Sequence, residues 1–312
     1  MFGLNDLRGH GRDDGRAATV TGVSERDQAR VGVLLRKWRQ RRKLSQLELA
    51  LKAGSSARHV SCVETGRAQP SREMVLRLAA TLDVPLRERN TLLLAAGYAP
   101  AYRESGLDDD GFAAVRAALD TMLTAHEPYP AVVVDRWWNV RLGNRAMTVL
   151  TGDTPEHLLA PAPNVFRLVL HPDGLAPKLV NYGQVRSLFL ERLHRQVEET
   201  GDPHLEALLS EVRGYPAPPG AEGSAGADPV LRSPVEVPLR VRTPHGELAM
   251  FSTMATFGAP GDVTLSELAI ELFYPLDDAT AALLRGLGDV TLGPPPDTAG
   301  VPASVGRSGG PR

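Results

Sequence analysis

Between Ala29 and Ala96 the apolar residues recur at helical spacing, and five helices can be placed on them. In the first, about Ala29–Arg42, Val31, Leu34, Leu35 and Trp38 share one face. Two short segments follow, Gln46–Ala53 and a helix from Ser56 to about Thr65. Pro70-Ser71 opens a fourth, with Met74, Leu78 and Leu82 along one side. The fifth, Leu86–Ala96, stops at Gly97 with Pro100 just beyond, a normal C-terminal signal. From Phe112 the period changes repeatedly. Phe112–Ala125 reads as a helix, and Ala131–Val140 (AVVVDRWWNV), apolar, β-branched and aromatic, as strand or hairpin. Helices are expected at about Asn144–Leu150 and Pro177–Glu199. Three strands come last. Val235, Val237, Leu239 and Val241 alternate with Glu236, Pro238, Arg240 and Arg242, and Thr243 to Gly246 makes a turn. Glu247–Phe257 is apolar on both faces, as in a central strand; Leu268, Ile270 and Leu272 alternate with Glu267, Ala269 and Glu271.

The second and third helices have the chemistry of a helix-turn-helix. Ser45 and Ser56 can cap them, small Ala50 permits a close crossing, and Gly54 can take the left-handed turn between them. Val60 and Val63 face the core. Charge points the same way. Between Val31 and Arg72 ten basic residues oppose only Glu48 and Glu64, a net +8 that leaves −10 for the rest of a chain whose formal charge is −2. A basic module on an acidic body suits a phosphate-binding head, although charge alone would equally describe a solvated helix face.

At 312 residues, two folded units are the natural division. The expected boundaries are a disordered leader 1–26, a DNA-binding domain 27–100, a linker 101–111, an α+β domain 112–290 with a flexible insertion 215–229, and a disordered tail 291–312. One cysteine, Cys62, rules out an internal disulfide and fits a reducing cytoplasm. No apolar run is long enough to span a bilayer, and no secretory signal opens the chain, so a cytoplasmic protein without a membrane partner is expected. Enzyme signatures are missing: there is no Gly-Lys dipeptide for a phosphate loop and no zinc-protease motif. Gly306 to Gly310 matches a nucleophile elbow only formally, in a tail without flanking elements. The eight histidines show no ligand spacing, so no metal is expected.

The segments LSQ, ETGRAQPSREM, VPLRERNTLLLAAGYAPAYRE, PAVVVDRWWNV, HPDGL, VNYGQVRS and TFGAPGDVTLSELAIELFYP, in this order, resemble Cro/repressor-type (XRE-family) regulators that carry a MmyB-like ligand-binding domain. The resemblance runs from Val31 to Leu287. It implies an all-α, five-helix, lambda-repressor-like domain followed by an α+β, PAS-like domain with an antiparallel sheet. It also implies a fatty-acid-like or other small apolar ligand, and no other cofactor.

In such domains the second helix of the motif enters the major groove. That places Ser56, Ala57, Arg58, Ser61 and Cys62 at DNA, with Arg58 either on a guanine edge or on a phosphate. Gln46 resembles the glutamine that clamps the backbone or a flanking base, and Arg67 stands in the loop that follows the backbone. Arg39 and Glu64 resemble a structural ion pair, while Arg41, Arg42 and Lys43 read as solvated. Such modules act as dimers on two half-sites, so a homodimer on a pseudo-palindromic operator is expected. For the ligand, Trp137, Trp138, Phe166, Phe189, Met250, Phe251, Met254 and Phe257 are either pocket lining or ordinary core. Arg136, His171, Asn181 and Arg186 are candidate polar anchors, or else caps and surface pairs. Two other readings stay open: a second domain that only dimerises or docks a protein, and a redox switch at Cys62, against which stands a buried, inert thiol.

Overall fold

The computed structural model describes residues 25–107, 109–220, 237–258 and 260–291. The expected leader up to residue 24, residues 221–229 of the insertion, the start of the strand at Val235 and Glu236, and the tail with its Gly306–Gly310 match lie outside the described residues. The chain forms two compact units, 1–101 and 102–312.

The first unit is all helical: α1 (Glu25–Arg41), α2 (Gln46–Lys52), α3 (Ala57–Glu64), α4 (Arg72–Thr81) and α5 (Leu86–Ala95). Serine caps set three of the starts. Ser45 and Glu48 form a reciprocal capping box on α2, and Ser56 and Ser71 accept the His59 and Met74 amides. Gly54 takes φ +61° in the α2–α3 turn, as expected of that glycine. Gly32 matters for another reason: a Cβ there would lie 2.3 Å from the Val63 carbonyl, so α1 can meet α3 this closely only with glycine. Val31, Leu35, Trp38, Leu49, Ala50, Val60, Val63, Leu78 and Leu93 close the core. Arg39 clamps that packing, with Nε 2.6 Å and Nη2 2.9 Å from the two Glu64 oxygens and Nη1 2.7 Å from the Leu44 carbonyl. Arg42 is not simply solvated. Its guanidinium donates to the Leu82 and Asp83 carbonyls, closing the C-terminal end of α4, and stacks over Trp38.

The second unit begins with residues expected to be linker, and they are pinned. The Arg103 carbonyl accepts the Val263 amide, the Ser105 carbonyl accepts the Thr264 hydroxyl, and Ser105 is buried. Then come α6 (Ala113–Ala125), β1 (Ala131–Val134), β2 (Val140–Gly143), α7 (Thr148–Thr151), α8 (Glu156–Leu159), α9 (Val165–Leu170), α10 (Tyr182–Thr200), α11 (Pro203–Arg213), β3 (Leu239–Thr243), β4 (Gly246–Thr256), α12 (Val263–Ser266), β5 (Ala269–Pro275) and α13 (Asp278–Thr291). The strands make one antiparallel sheet in the order β2-β1-β5-β4-β3. This is the α+β, PAS-like architecture.

The sheet is covered on both faces around its centre. Val132 and Val134 of β1 join the larger core with residues of α9, α10 and α11. Ala131 and Val133 join a smaller core with Leu119 and Leu123 of α6. All four β1 residues are therefore buried, which explains the unbroken apolar run. The same division runs along β5. Ile270 lies in the smaller core, while Ala269 and Phe273 pack against the larger one. Tyr215, assigned to the flexible insertion, is instead packed: its ring meets His171 edge-on and its hydroxyl donates to Glu211.

Candidate nucleic-acid interface and ligand cavity

Val60 and Val63 turn one side of α3 inward, where Ala57 also packs against the core, and this leaves Arg58, Ser61 and Cys62 on the outward side. Arg58 and Ser56 are exposed, and Ala57, Ser61 and Cys62 half-buried. The Cys62 thiol is thus not in the core. Arg67 is exposed in the loop after α3. Among the described residues, neither the Arg58 nor the Arg67 guanidinium makes an ion pair or hydrogen bond, in contrast to Arg39 and Arg42. Gln46, the first residue of α2, has a place the sequence did not suggest: its Nε2 donates to Glu64 Oε2 at 2.8 Å. Arg39, Glu64 and Gln46 therefore form one network joining α1, α2 and α3. The Glu64 hydrogen bonds raise the Arg39 pKa further, against the effect of burial, so the guanidinium stays charged.

In the second unit an apolar cavity of about 40 Å³ lies against the sheet. Val132, Val140, Leu168, Phe189 and Phe273 are among its walls, and only Thr151 and Glu271 interrupt the apolar lining. Of the aromatic residues expected to line a pocket, Phe189 does. Trp138 and Phe166 do not: they pack on each other edge-on in the core, with the Trp138 indole donating to Gln196. Phe251 is stacked on Tyr274, and Phe257 packs beside the α6 core. Met250 is buried in the larger core, and Met254 is exposed.

The expected polar anchors are all engaged elsewhere. Arg136 donates to Asp202 at 2.7 Å and Glu267 at 2.9 Å and stacks over Trp137. Burial alone would raise the Asp202 pKa, but the His204 amide, the Trp137 indole and Arg136 outweigh it and hold the carboxylate ionised. Asn181 donates to the Pro238 carbonyl and accepts the Arg240 amide, tying the start of α10 to β3. Arg186 donates to the Arg213 carbonyl, and His171 accepts the Asp173 amide. None of the four reaches the cavity.

Glu271 does. It is 3% exposed, accepts the Ser252 hydroxyl at 2.8 Å, and has Arg192 at 3.8 Å on the same oxygen. Burial pushes its pKa above the usual carboxylate range, and Ser252 and Arg192 offset only part of that. In the sequence it stood on the polar side of the alternation Leu268, Ile270, Leu272; because both sheet faces are covered, that side turns toward the larger core. The available signal was a charged residue next to a strand already apolar on its other side. A larger cleft, about 250 Å³ and open, has Arg145 and Lys178 at its rim, paired with Glu127 and Asp153.

A helix-turn-helix head followed by an α+β unit with an apolar cavity defines a DNA-binding regulator. The chain belongs to the MmyB-like transcription regulators: the family model described as the MmyB-like transcription regulator ligand binding domain matches residues 115–287, more than half of the chain, and a helix-turn-helix model matches 35–89. Among solved structures, the chain is similar to the restriction-modification controller protein C.AhdI from Aeromonas hydrophila, with 35% identity over 21% of this chain and 94% of that one, at a TM-score of 0.20. It is also similar to an RNA-binding Light-Oxygen-Voltage receptor, with 15% identity over 86% of this chain and 63% of that one, at a TM-score of 0.22. Neither superposition is close enough to transfer geometry. No curated protein matches. No helix among the described residues is long and apolar enough to cross a membrane.

Proposed function

We propose that this regulator binds a pseudo-palindromic operator as a cytoplasmic homodimer, and that its second unit takes up a small apolar, fatty-acid-like ligand. The observation that carries the DNA reading is the outward side of α3, where Arg58 is exposed and unengaged among the described residues. Buried or scaffold arginines of this domain have carbonyl or carboxylate partners; a base-reading arginine keeps its fork for guanine. Arg58, Ala57, Ser61 and Cys62 read base edges, and Ser56, Gln46 and Arg67 meet the backbone.

The ligand reading rests on the cavity and its single carboxyl group. Its volume of about 40 Å³ is well below the ~150 Å³ of an apolar cavity that accepts benzene, so a ligand enters only by moving the walls. Such displacement is what lets occupancy bias one conformation over another. The same tight packing favours a second reading, in which this unit only dimerises or docks a protein. Native mass spectrometry of gently purified protein, with analysis of what denaturation releases, separates the two. A stoichiometric apolar adduct is expected. A mass without adduct, unchanged after incubation with C12–C16 fatty acids, would leave the second reading.

A further inference from the structure

We infer that His157, His171 and Asp173 form a binding site for one divalent transition-metal ion. His157 stands on α8, His171 at the C-terminal cap of α9, and Asp173 in the turn that follows. One ligand atom from each lies within 4.8 Å of the other two. His157 Nε2 is 3.5 Å and His171 Nδ1 3.8 Å from the same oxygen, Asp173 Oδ2. These separations are long for direct hydrogen bonds. They are close to the spacing of about 3.4 Å between two ligands that each lie 2.0–2.1 Å from a tetrahedral ion. Among the described residues nothing donates a hydrogen bond to the Asp173 carboxylate, so its oxygens are not committed to the fold.

Two of the three ligands are presented by a rigid turn. The Gly174 amide donates to the His171 carbonyl at 2.9 Å, and the Leu175 amide reaches back to Leu168 at 2.8 Å. A Cβ at Gly174 would sit 2.3 Å from the Leu168 carbonyl, so the turn closes against the end of α9 only with glycine. The Tyr215 ring, edge-on to His171 at 4.9 Å, holds the imidazole from behind, and the His157 ring meets it at 5.5 Å. The third ligand, His157, is 55% exposed and can close the remaining few tenths of an ångström by side-chain rotation. One contact opposes loading. The Asp173 amide donates to His171 Nδ1 at 3.0 Å, and an ion on that nitrogen displaces it. The bond is exposed, so water replaces it at little cost.

Two imidazoles and one carboxylate suit Zn²⁺, Fe²⁺, Ni²⁺ or Cu²⁺ rather than Mg²⁺ or Ca²⁺. Three protein ligands facing solvent leave the remaining positions to water. The ion would tie α8 to the end of α9, whose Val165, Leu168 and Val169 form one wall of the apolar cavity. The site does not depend on whether that cavity takes a ligand.

The test uses full-length protein stripped of metal by a chelator and titrated with Zn²⁺ against a chromophoric competitor, with Co²⁺ as the spectroscopic substitute. One equivalent is expected, with visible Co²⁺ bands of low-coordinate N/O ligation. H157A and D173N, both at exposed side chains, are expected to weaken Zn²⁺ by at least about tenfold. Zn²⁺ should raise the thermal midpoint of the wild type and not of H157A, while H194A, at a histidine outside the cluster, behaves as wild type. Absence of a bound equivalent overturns the assignment. So does equal affinity in wild type, H157A and D173N, provided far-UV circular dichroism shows the variants folded.

Discussion

Arg58 and Arg67 carry the same guanidinium and are both exposed, but they stand on different elements. A residue in the first turn of α3 reaches base edges, whereas the loop beyond it runs along phosphates. Arg58→Ala is therefore expected to cost about 1–3 kcal/mol on the operator and little on a scrambled duplex. Arg67→Ala should weaken both duplexes alike and reduce the salt slope by about one. Competition binding at two salt concentrations distinguishes them, and equal losses on both duplexes would remove Arg58 from base readout. Glu64 is a different kind of residue. With 2% of its side chain exposed it holds Arg39 and Gln46 together, and Glu64→Ala is expected to cost about 3 kcal/mol in urea unfolding, because a part-buried cation loses its partner. Glu271 sets a pH dependence of its own. Its folded pKa is raised above the ordinary 4.5, so the unfolded chain ionises first as pH climbs. Its contribution to stability is whole below the unfolded value and is lost as pH rises through the folded one. The stability difference between Glu271→Gln and the wild type should be constant at pH values below the ordinary carboxylate range and move in favour of the variant as pH rises above it; a difference that did not change with pH would show that Glu271 does not titrate in this way.

At the scale of elements, the α1–α3 contact has a single weak point. Gly32→Ala places a methyl 2.3 Å from the Val63 carbonyl, and the two helices must separate. A loss of about 1–3 kcal/mol is expected, measured by thermal denaturation, with DNA affinity falling as α3 shifts. In the first unit α1 was legible from its apolar period alone, α2, α3 and α4 from period plus a serine cap, and α5 from period plus the Gly97 stop. The elements α8, α9 and α12 were not, since four to six residues hold too little of a helical period to be told from loop. The hairpin at β1–β2 was readable from its apolar run, but not the fact that its two faces serve different cores. That omission put Glu271 on the wrong side and directed attention to aromatic residues such as Trp138 and Phe166, which fill the core instead. Arg136 shows the same limit: its partners, Asp202 and Glu267, lie far along the chain, and no local pattern announces them. His157, His171 and Asp173 come from two helices and a turn, so sequence spacing carried no trace of their meeting.

For the whole molecule, the division at residue 101 predicts separable behaviour. A fragment spanning residues 25–101 has its own closed core and is expected to fold, show a helical circular dichroism spectrum and bind DNA. It should bind more weakly than the full chain and show no response to an apolar ligand; equal affinity in a gel-shift titration would argue against dimerisation through the second unit. That unit's central strands have a mechanical property. β1, with all four residues buried, is walled by packed side chains above and below, so the strand between the cavity and α6 has no water-facing side into which it can yield. A displacement of Val132 is therefore expected to press through the strand on Val133 and on to Leu119 and Leu123, which share the core on the other face. A swelling of the cavity by one guest should thereby be felt on the far layer, at α6, close to where the polypeptide enters this unit. In that sense the sheet works as a diaphragm rather than as a floor.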